Sequence, residues 1–214
     1  MYNPSHFKLE DRAALVALIR AHPLGTLVVQ GPQGLDANHL PFELDEAAGV
    51  LRAHVARANP LWTEIPGDGM PALVTFRGEE GYISPNWYPS KHEAHRQVPT
   101  WNYQVVHVHG QLHVMDEERF VRGLVARLTR EHESRAAPAR PWRMGDAPAD
   151  YIDQMLAAIV GIEIRVERME GKFKLSQNKD ARDRQGAVEG LEALGAVGLA
   201  GVMRDDQVPG NRRS

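Results

Sequence analysis

The stretch VPTWNYQVVHVHGQL, from Val98 to Leu112, constrains the fold most tightly. It alternates, with a proline near one end and a glycine near the other, and a period of two is the mark of a strand with two unlike faces. A plain core strand would be filled with Val, Ile and Leu. This one holds Trp101, Asn102, Tyr103, His107 and His109 instead. Either it lines a pocket or its polar face lies in water.

The rest of the chain supplies further strands. LGTLVVQ (24–30) ends in the turn GPQG, and LDANHLPFEL (35–44) reads as a strand bent or placed at an edge by Pro41. VLRAHVA (50–56) alternates, PALVTF (71–76) and GYIS (81–84) read as two strands, and IEIRVERM (162–169) places Ile162, Ile164 and Val166 on one face. Helices fall between and around them. Leu15, Leu18 and Ile19 recur between Asp11, an N-cap, and His22-Pro23, a stop. NPLWTEIP (59–66) is a short helix capped by Asn59, and about Asp116 to Glu133 is an amphipathic helix with Phe120, Val121, Leu124, Val125 and Leu128 on its apolar stripe. DYIDQMLAAIV forms another helix ending at Gly161, and a last one runs from about Ala187 to Met203. PNWYPSKHEAHRQVP (85–99) and AAPARPWRMGDAP (136–148) read as loops, and QVPGNRRS (207–214) as a mobile tail. Strands outnumber helices with no repeating βαβ rhythm, so an α+β fold with mostly antiparallel strands in a small barrel and helices outside fits better than a doubly wound sheet.

The 214 residues suffice for one ordinary domain, and 43% hydrophobic with 25% charged residues is a globular composition. The formal net charge of -3 argues against an open basic surface for nucleic acid. Cysteine is absent, which removes disulfides, thiol nucleophiles and zinc ribbons. MYNPSHFKLED does not read as a secretion signal and no apolar run approaches a membrane span. The expectation is a cytoplasmic protein.

Candidate chemistry is sparse. His107, His109 and His113 share a parity in one strand, as metal ligands at i and i+2 would. With few acidic partners nearby and no HExxH spacing, a half-wet strand face explains them better, so no metal is expected. There is no nucleotide-binding glycine loop and no GxSxG elbow. Glu79 and Glu80 are neighbours in a polar turn and not a facing catalytic pair. Arg119, Arg122, Arg127 and Arg130 lie opposite the apolar stripe of their helix, and a solvated face explains them. Three stretches resist that kind of reading: GYISPNWY, VPTWNYQVVHVHG and GKFKLSQN. Aromatics offer flat stacking surfaces, amides read ring edges, and lysines with hydroxyls hold phosphate. Together they are the parts of a site for a phosphorylated heteroaromatic ligand.

MYNPSHF (1–7), HLPF (39–42), HVARANP (54–60), YISPNWY (82–88), VPTWNYQVVHVHG (98–110) and GKFKLSQN (171–178) resemble, in the same order, the PaiB-type proteins. That family is described as FMN-binding negative transcriptional regulators. The resemblance implies a split β-barrel like that of the pyridoxamine-phosphate oxidase and flavin reductase group, usually a homodimer with flavin in two interface clefts. It implies a split-barrel domain over 1–185, followed by a C-terminal helix and tail over 186–214. It also implies an FMN site: Arg57 and Asn59 near the phosphate, Ser84, Trp87, Thr100, Trp101 and Asn102 lining the cleft, and Lys174, Ser176 and Gln177 closing it. Were the chain a flavin-dependent oxidoreductase, His107 or His54 would tune the ring or relay a proton. The segment PSKHEAH (89–95) is longer and richer in histidine than the family pattern.

Three functions follow. One is a flavin-binding regulator, for which the Arg119–Arg130 face is the one DNA candidate. Another is an FMN-dependent oxidoreductase of the reductase or oxidase type, with no catalytic residue singled out. The third is a haem-binding relative in which one of the ten histidines ligates iron.

Overall fold

The computed structural model describes residues 1–136 and 139–204. The tail 207–214 lies outside them. The chain divides into two compact units. One comprises Met1–His22, Phe76–His107 and the chain from Met169 onward, and the other comprises Pro23–Thr75 and Val108–Arg168.

The strands are β1 (Lys8–Leu9), β2 (Leu24–Gly31), β3 (Gly34–Pro41), β4 (Glu43–Asp45), β5 (Val50–Ala56), β6 (Met70–Ile83), β7 (Thr100–Met115) and β8 (Ile159–Lys174). Their hydrogen-bonded order is β3-β2-β6-β7-β8-β5-β4, with β1 added on β8. Every registered pairing is antiparallel, from Leu24 opposite Pro41 in β2–β3 to Val50 opposite Arg165 in β5–β8. The path stays open, with β3 and β4 at its ends. The helices are α1 (Arg12–Ala21), α2 (Leu61–Glu64), α3 (Pro89–Ala94), α4 (Glu118–Ala136), α5 (Ala149–Ala157), α6 (Ala181–Ala193) and α7 (Val197–Arg204). This is the expected α+β class with a mostly antiparallel sheet. Among the described residues no helix is long and apolar enough to cross a membrane.

Local signals mostly held. Asp11 caps α1, its carboxylate accepting from the Ala13 N–H at 2.9 Å. Asn59 Oδ1 accepts from the Leu61 N–H at 3.0 Å, just ahead of α2. Val121, Leu124 and Leu128 are the buried stripe of α4. In the first unit the buried set includes Leu15, Val16, Leu18 and Ile19 of α1 together with Ile83, Leu175, Leu191 and Leu199. In the second it includes Leu27, Val29, Val55, Val74, Leu124, Ile162 and Ile164.

Glycines misled the reading of boundaries. RGEEG looked like a turn between two strands, yet β6 runs unbroken from Met70 to Ile83 and carries Glu79 and Glu80 within it. Gly78 and Gly81 are there for close packing: a Cβ would lie 2.9 Å from Gln104 Oε1 at the first and 2.9 Å from Leu199 Cδ2 at the second. Gly161 does not end a helix. α5 stops at Ala157 and Gly161 sits inside β8, where a Cβ would meet Met115 O at 2.6 Å. β8 itself joins IEIRVERM and EGKFK into one strand. LDANHLPFEL breaks the other way, at Phe42, into β3 and β4. The helix expected over 187–203 starts earlier, at Ala181, and is two, α6 and α7. Gly195 at φ +76 closes α6, with Ala196 N–H bonded to Leu191 O and Gly195 N–H to Glu192 O, which is the Schellman pattern. The 85–99 segment is partly helical: a 3-10 turn at Pro85–Trp87, then α3.

Candidate functional site

β7 begins at Thr100 and its side chains alternate in burial. Asn102 and Gln104 are buried, whereas Trp101 is 55% exposed, and Tyr103 and His107 are half-buried on Trp101's side of the strand. The strand therefore divides the expected site residues between two faces. On the outer face, Tyr82 of β6 meets Trp101 edge to face, with ring centroids 6.1 Å apart.

The end of β8 brings the rest of the first unit's candidates. Lys174 Nζ donates to Thr100 Oγ1 and, at 2.5 Å, to Trp101 O. An ammonium has three N–H donors, so among the described contacts one remains unused. Burial holds the Lys174 ammonium below the ordinary lysine range, and the charges of Lys172 and Lys179 push the same way. Lys172 lies 5.6 Å over the Tyr103 ring and Lys179 lies 5.0 Å over Tyr88.

Past Lys174 the chain turns through Ser176, whose φ of +63 places a buried non-glycine residue in the left-handed region. The side chain of Gln177 holds this turn, accepting from Leu175 N–H at 2.7 Å and donating to Phe173 O at 2.5 Å. The Ser176 hydroxyl then accepts from Asn102 Nδ2 at 2.9 Å. Asn102 Nδ2 also lies 3.4 Å from Met203 Sδ of α7, while Asn102 Oδ1 is buried without a partner.

Ser84 and Trp87 do a different job. The Ser84 hydroxyl accepts from Asn86 N–H at 3.2 Å and caps the 3-10 turn. Trp87 lies on α6, where a Cβ at Gly190 would come within 2.2 Å of its ring and one at Gly186 within 2.0 Å of its carbonyl oxygen. Beside it, Tyr88 is fully buried and its hydroxyl has no partner of good geometry. Burial raises the Tyr88 phenol, against a weaker lowering pull from the Ser176 hydroxyl and with a contribution from the Asp183 charge. Asp183 anchors the whole segment: it accepts from Ser90 N–H at 3.0 Å, Ser90 Oγ at 2.6 Å and Gln97 Nε2 at 3.1 Å. Gln97 Oε1 in turn accepts from Lys179 at 2.5 Å.

Arg57 and Asn59 belong to the second unit and are engaged there. Arg57 makes a two-point pair with Asp116, at 3.0 and 2.6 Å, and donates to the carbonyls of Ala157 at 2.7 Å and Ile159 at 3.1 Å. Asp116 is held below the ordinary carboxylate range chiefly by that hydrogen bonding. Asn59 donates to Asn38 Oδ1 at 2.7 Å. On α4, Arg122 is paired with Glu118 and Asp153, Arg127 with Glu43 and Arg135 with Glu131, so three of its five arginines are already neutralised.

The structure thus brings together Thr100, Trp101 and Lys174, and separately Asn102 and Ser176. Reading by motif missed Tyr82, Lys172, Tyr88 and Asp183. The first two were within reach: Tyr82 sits in GYIS, and Lys172 shares the parity of Lys174. Asp183 carried no signal, because its role depends on a segment 93 residues away.

Comparison with known proteins bears on family and fold. The family model described as "Putative FMN-binding domain" matches residues 1–168, so that Lys174, Ser176 and Gln177 fall beyond the matched stretch. An uncharacterized protein of Aspergillus fumigatus is 30% identical over 89% of this chain and 92% of its own length. The Protease synthase and sporulation protein PAI 2 of Bacillus subtilis is 29% identical over 96% of this chain and 97% of its own. In fold, the FAD and heme binding protein of Mycobacterium smegmatis is similar with a TM-score of 0.58 at 18% identity, covering 84% of this chain and 79% of that one. By the extent of the first match, this chain belongs to the FMN-binding domain family that the model describes.

Proposed function

We propose that the chain binds FMN at the Trp101–Lys174 corner of the first unit and acts as a flavin-dependent regulator of the PaiB kind. One observation carries the reading: a half-buried ammonium, crowded by two further lysines, stands beside an exposed tryptophan and tyrosine. Such a lysine is costly to hold charged unless an anion joins it, and the adjacent rings offer a face for a flat heterocycle. The residues therefore fit the group. Trp101 and Tyr82 would flank the ring system, and the unused Lys174 N–H would meet an anionic oxygen. Asn102, whose Oδ1 is buried without a partner, would set the turn through Ser176. When bound, a flavin supplies reversible electron transfer, which the protein can report as a change in shape or partner.

A homodimer suits this site, because Trp101, Tyr82 and Val98 of the first unit are exposed apolar side chains. Regulation through a ligand or partner protein is favoured over a direct grip on DNA, since acidic partners already occupy Arg122 and Arg127.

FMN titration followed by desalting tests the reading. The wild-type chain should retain flavin absorbance. Trp101→Ala should weaken binding by roughly 10-fold, as loss of one stacking surface does, and Lys174→Met by a similar factor. Affinity should also fall with rising pH earlier than an ordinary lysine would dictate, because the Lys174 ammonium is depressed from 10.5. Undiminished affinity in both variants would remove this corner from the flavin site.

A further inference from the structure

The second unit carries a feature that flavin binding does not use. Trp142 is 43% exposed and lines two hollows on the flank of α4. The first, of about 420 Å³, is bounded by Arg130, Glu133, Pro141, Arg143 and Met144. The second, of about 380 Å³, is bounded by Pro41, His54, Leu128 and His132. Both volumes are in the range that small ligands occupy. The indole is held in place from its backbone, since Trp142 N–H donates to the Glu133 carboxylate at 2.8 Å.

The charges around it are unequally committed. Arg122 and Arg127 of the same helix are ion-paired. Arg130 and Arg143 have no ion pair among the described residues, and both line the first hollow. Against these two cations stands one carboxylate, Glu133, which leaves a net charge of one to be matched. The second hollow shares Glu133 with the first; on its wall burial lowers the basicity of His54, and both His54 Nδ1 and His132 Nε2 are buried without a partner.

We propose that the two hollows flanking Trp142 form a binding site for a small monoanionic aromatic acid. Its ring stacks on the indole and its carboxylate is taken by the guanidinium forks of Arg130 and Arg143. A doubly charged phosphate ester fits less well, because Glu133 cancels one of the two cations. The site stands independently of the flavin reading.

Isothermal titration of the full chain with 2-naphthoate and with neutral 2-naphthamide tests this. Naphthoate should bind, and the amide at least about 10-fold more weakly, the cost of losing charge-assisted hydrogen bonds. The double variant R130Q/R143Q should bring naphthoate down to the level of the amide. Trp142→Ala should abolish both, and Trp142→Phe should retain them; if Trp142→Ala does not fold, the phenylalanine and glutamine variants still decide. Saturating FMN should leave naphthoate affinity unchanged. No binding of naphthoate, equal binding of the amide, indifference to R130Q/R143Q, or displacement by FMN would each overturn the proposal. The first three would leave the flavin reading untouched, whereas the last would place FMN at these hollows and away from the Trp101–Lys174 corner.

Discussion

Asp183 is 2% exposed and accepts three hydrogen bonds from the segment that precedes β7. Replacing it with alanine removes all three at once and leaves the Ser90 N–H, which has no other acceptor in the described contacts, to find water. Hydrogen bonds to a charged acceptor contribute about 1.5–3 kcal/mol each, and such values do not add. Because Ser90 and Gln97 are half-buried, water recovers part of the loss, and a cost of about 3–5 kcal/mol follows for Asp183→Ala. In a chain of this length that lowers Tm by roughly 6–20 °C. Ser90→Ala, which deletes one hydroxyl, should cost about 1–2 kcal/mol, and Asp183→Asn should fall between the two. The double variant Asp183→Ala/Ser90→Ala should cost less than the sum, because the same bond is counted in both single variants. Urea unfolding of the four proteins measures all of this. A cost for Asp183→Ala below about 1 kcal/mol, or full additivity in the cycle, would refute the view that this carboxylate fastens residues 85–97 to α6.

Two further outcomes are expected. Burial lowers the His54 imidazole from 6.5, so the unfolded chain takes up its proton first: stability is intact above that value, falls as pH drops through it, and levels off below the folded pKa. His54→Asn should flatten the change in urea midpoint between about pH 7 and pH 5, and an identical slope in both proteins would dismiss His54 as its source. Gly190→Ala should destabilise by about 1–3 kcal/mol despite its better helix propensity, because three Trp87 ring atoms lie within 2.5 Å of the new Cβ. Gly201→Ala in α7 meets nothing within 4 Å and should stabilise by about 0.4–1 kcal/mol, so equal effects of the two in thermal melts would deny the Trp87–α6 contact.

Much of the candidate site was legible in sequence because its parts lie in short segments with local signatures. The alternation of VPTWNYQVVHVHGQL returned as β7 with alternate residues buried, and GKFKLSQN returned as a strand end and a held turn. Turns were less legible. A glycine looks the same in sequence whether it bends the chain, as Gly195 does at φ +76, or lets a neighbour approach, as Gly78, Gly161 and Gly190 do. The split of the site strand was implicit in its period of two, which sends Trp101 and Asn102 to opposite faces.

By itself, then, the sequence determined the α+β class, the strand that carries the candidate site, the cap of α1, and the kinds of side chain available for an anionic aromatic ligand. These depend on periodicity and composition within some 20 residues, where local sterics and burial act directly. Only the tertiary structure decided which of those side chains meet. Lys174 reaches Thr100 across 74 residues, Asn102 reaches Ser176 across 74, and Arg57 is taken by Asp116 across 59. No local pattern records such pairings, because they follow from how strands and loops distant in sequence are aligned, and a shift of one residue would send each side chain to the opposite face.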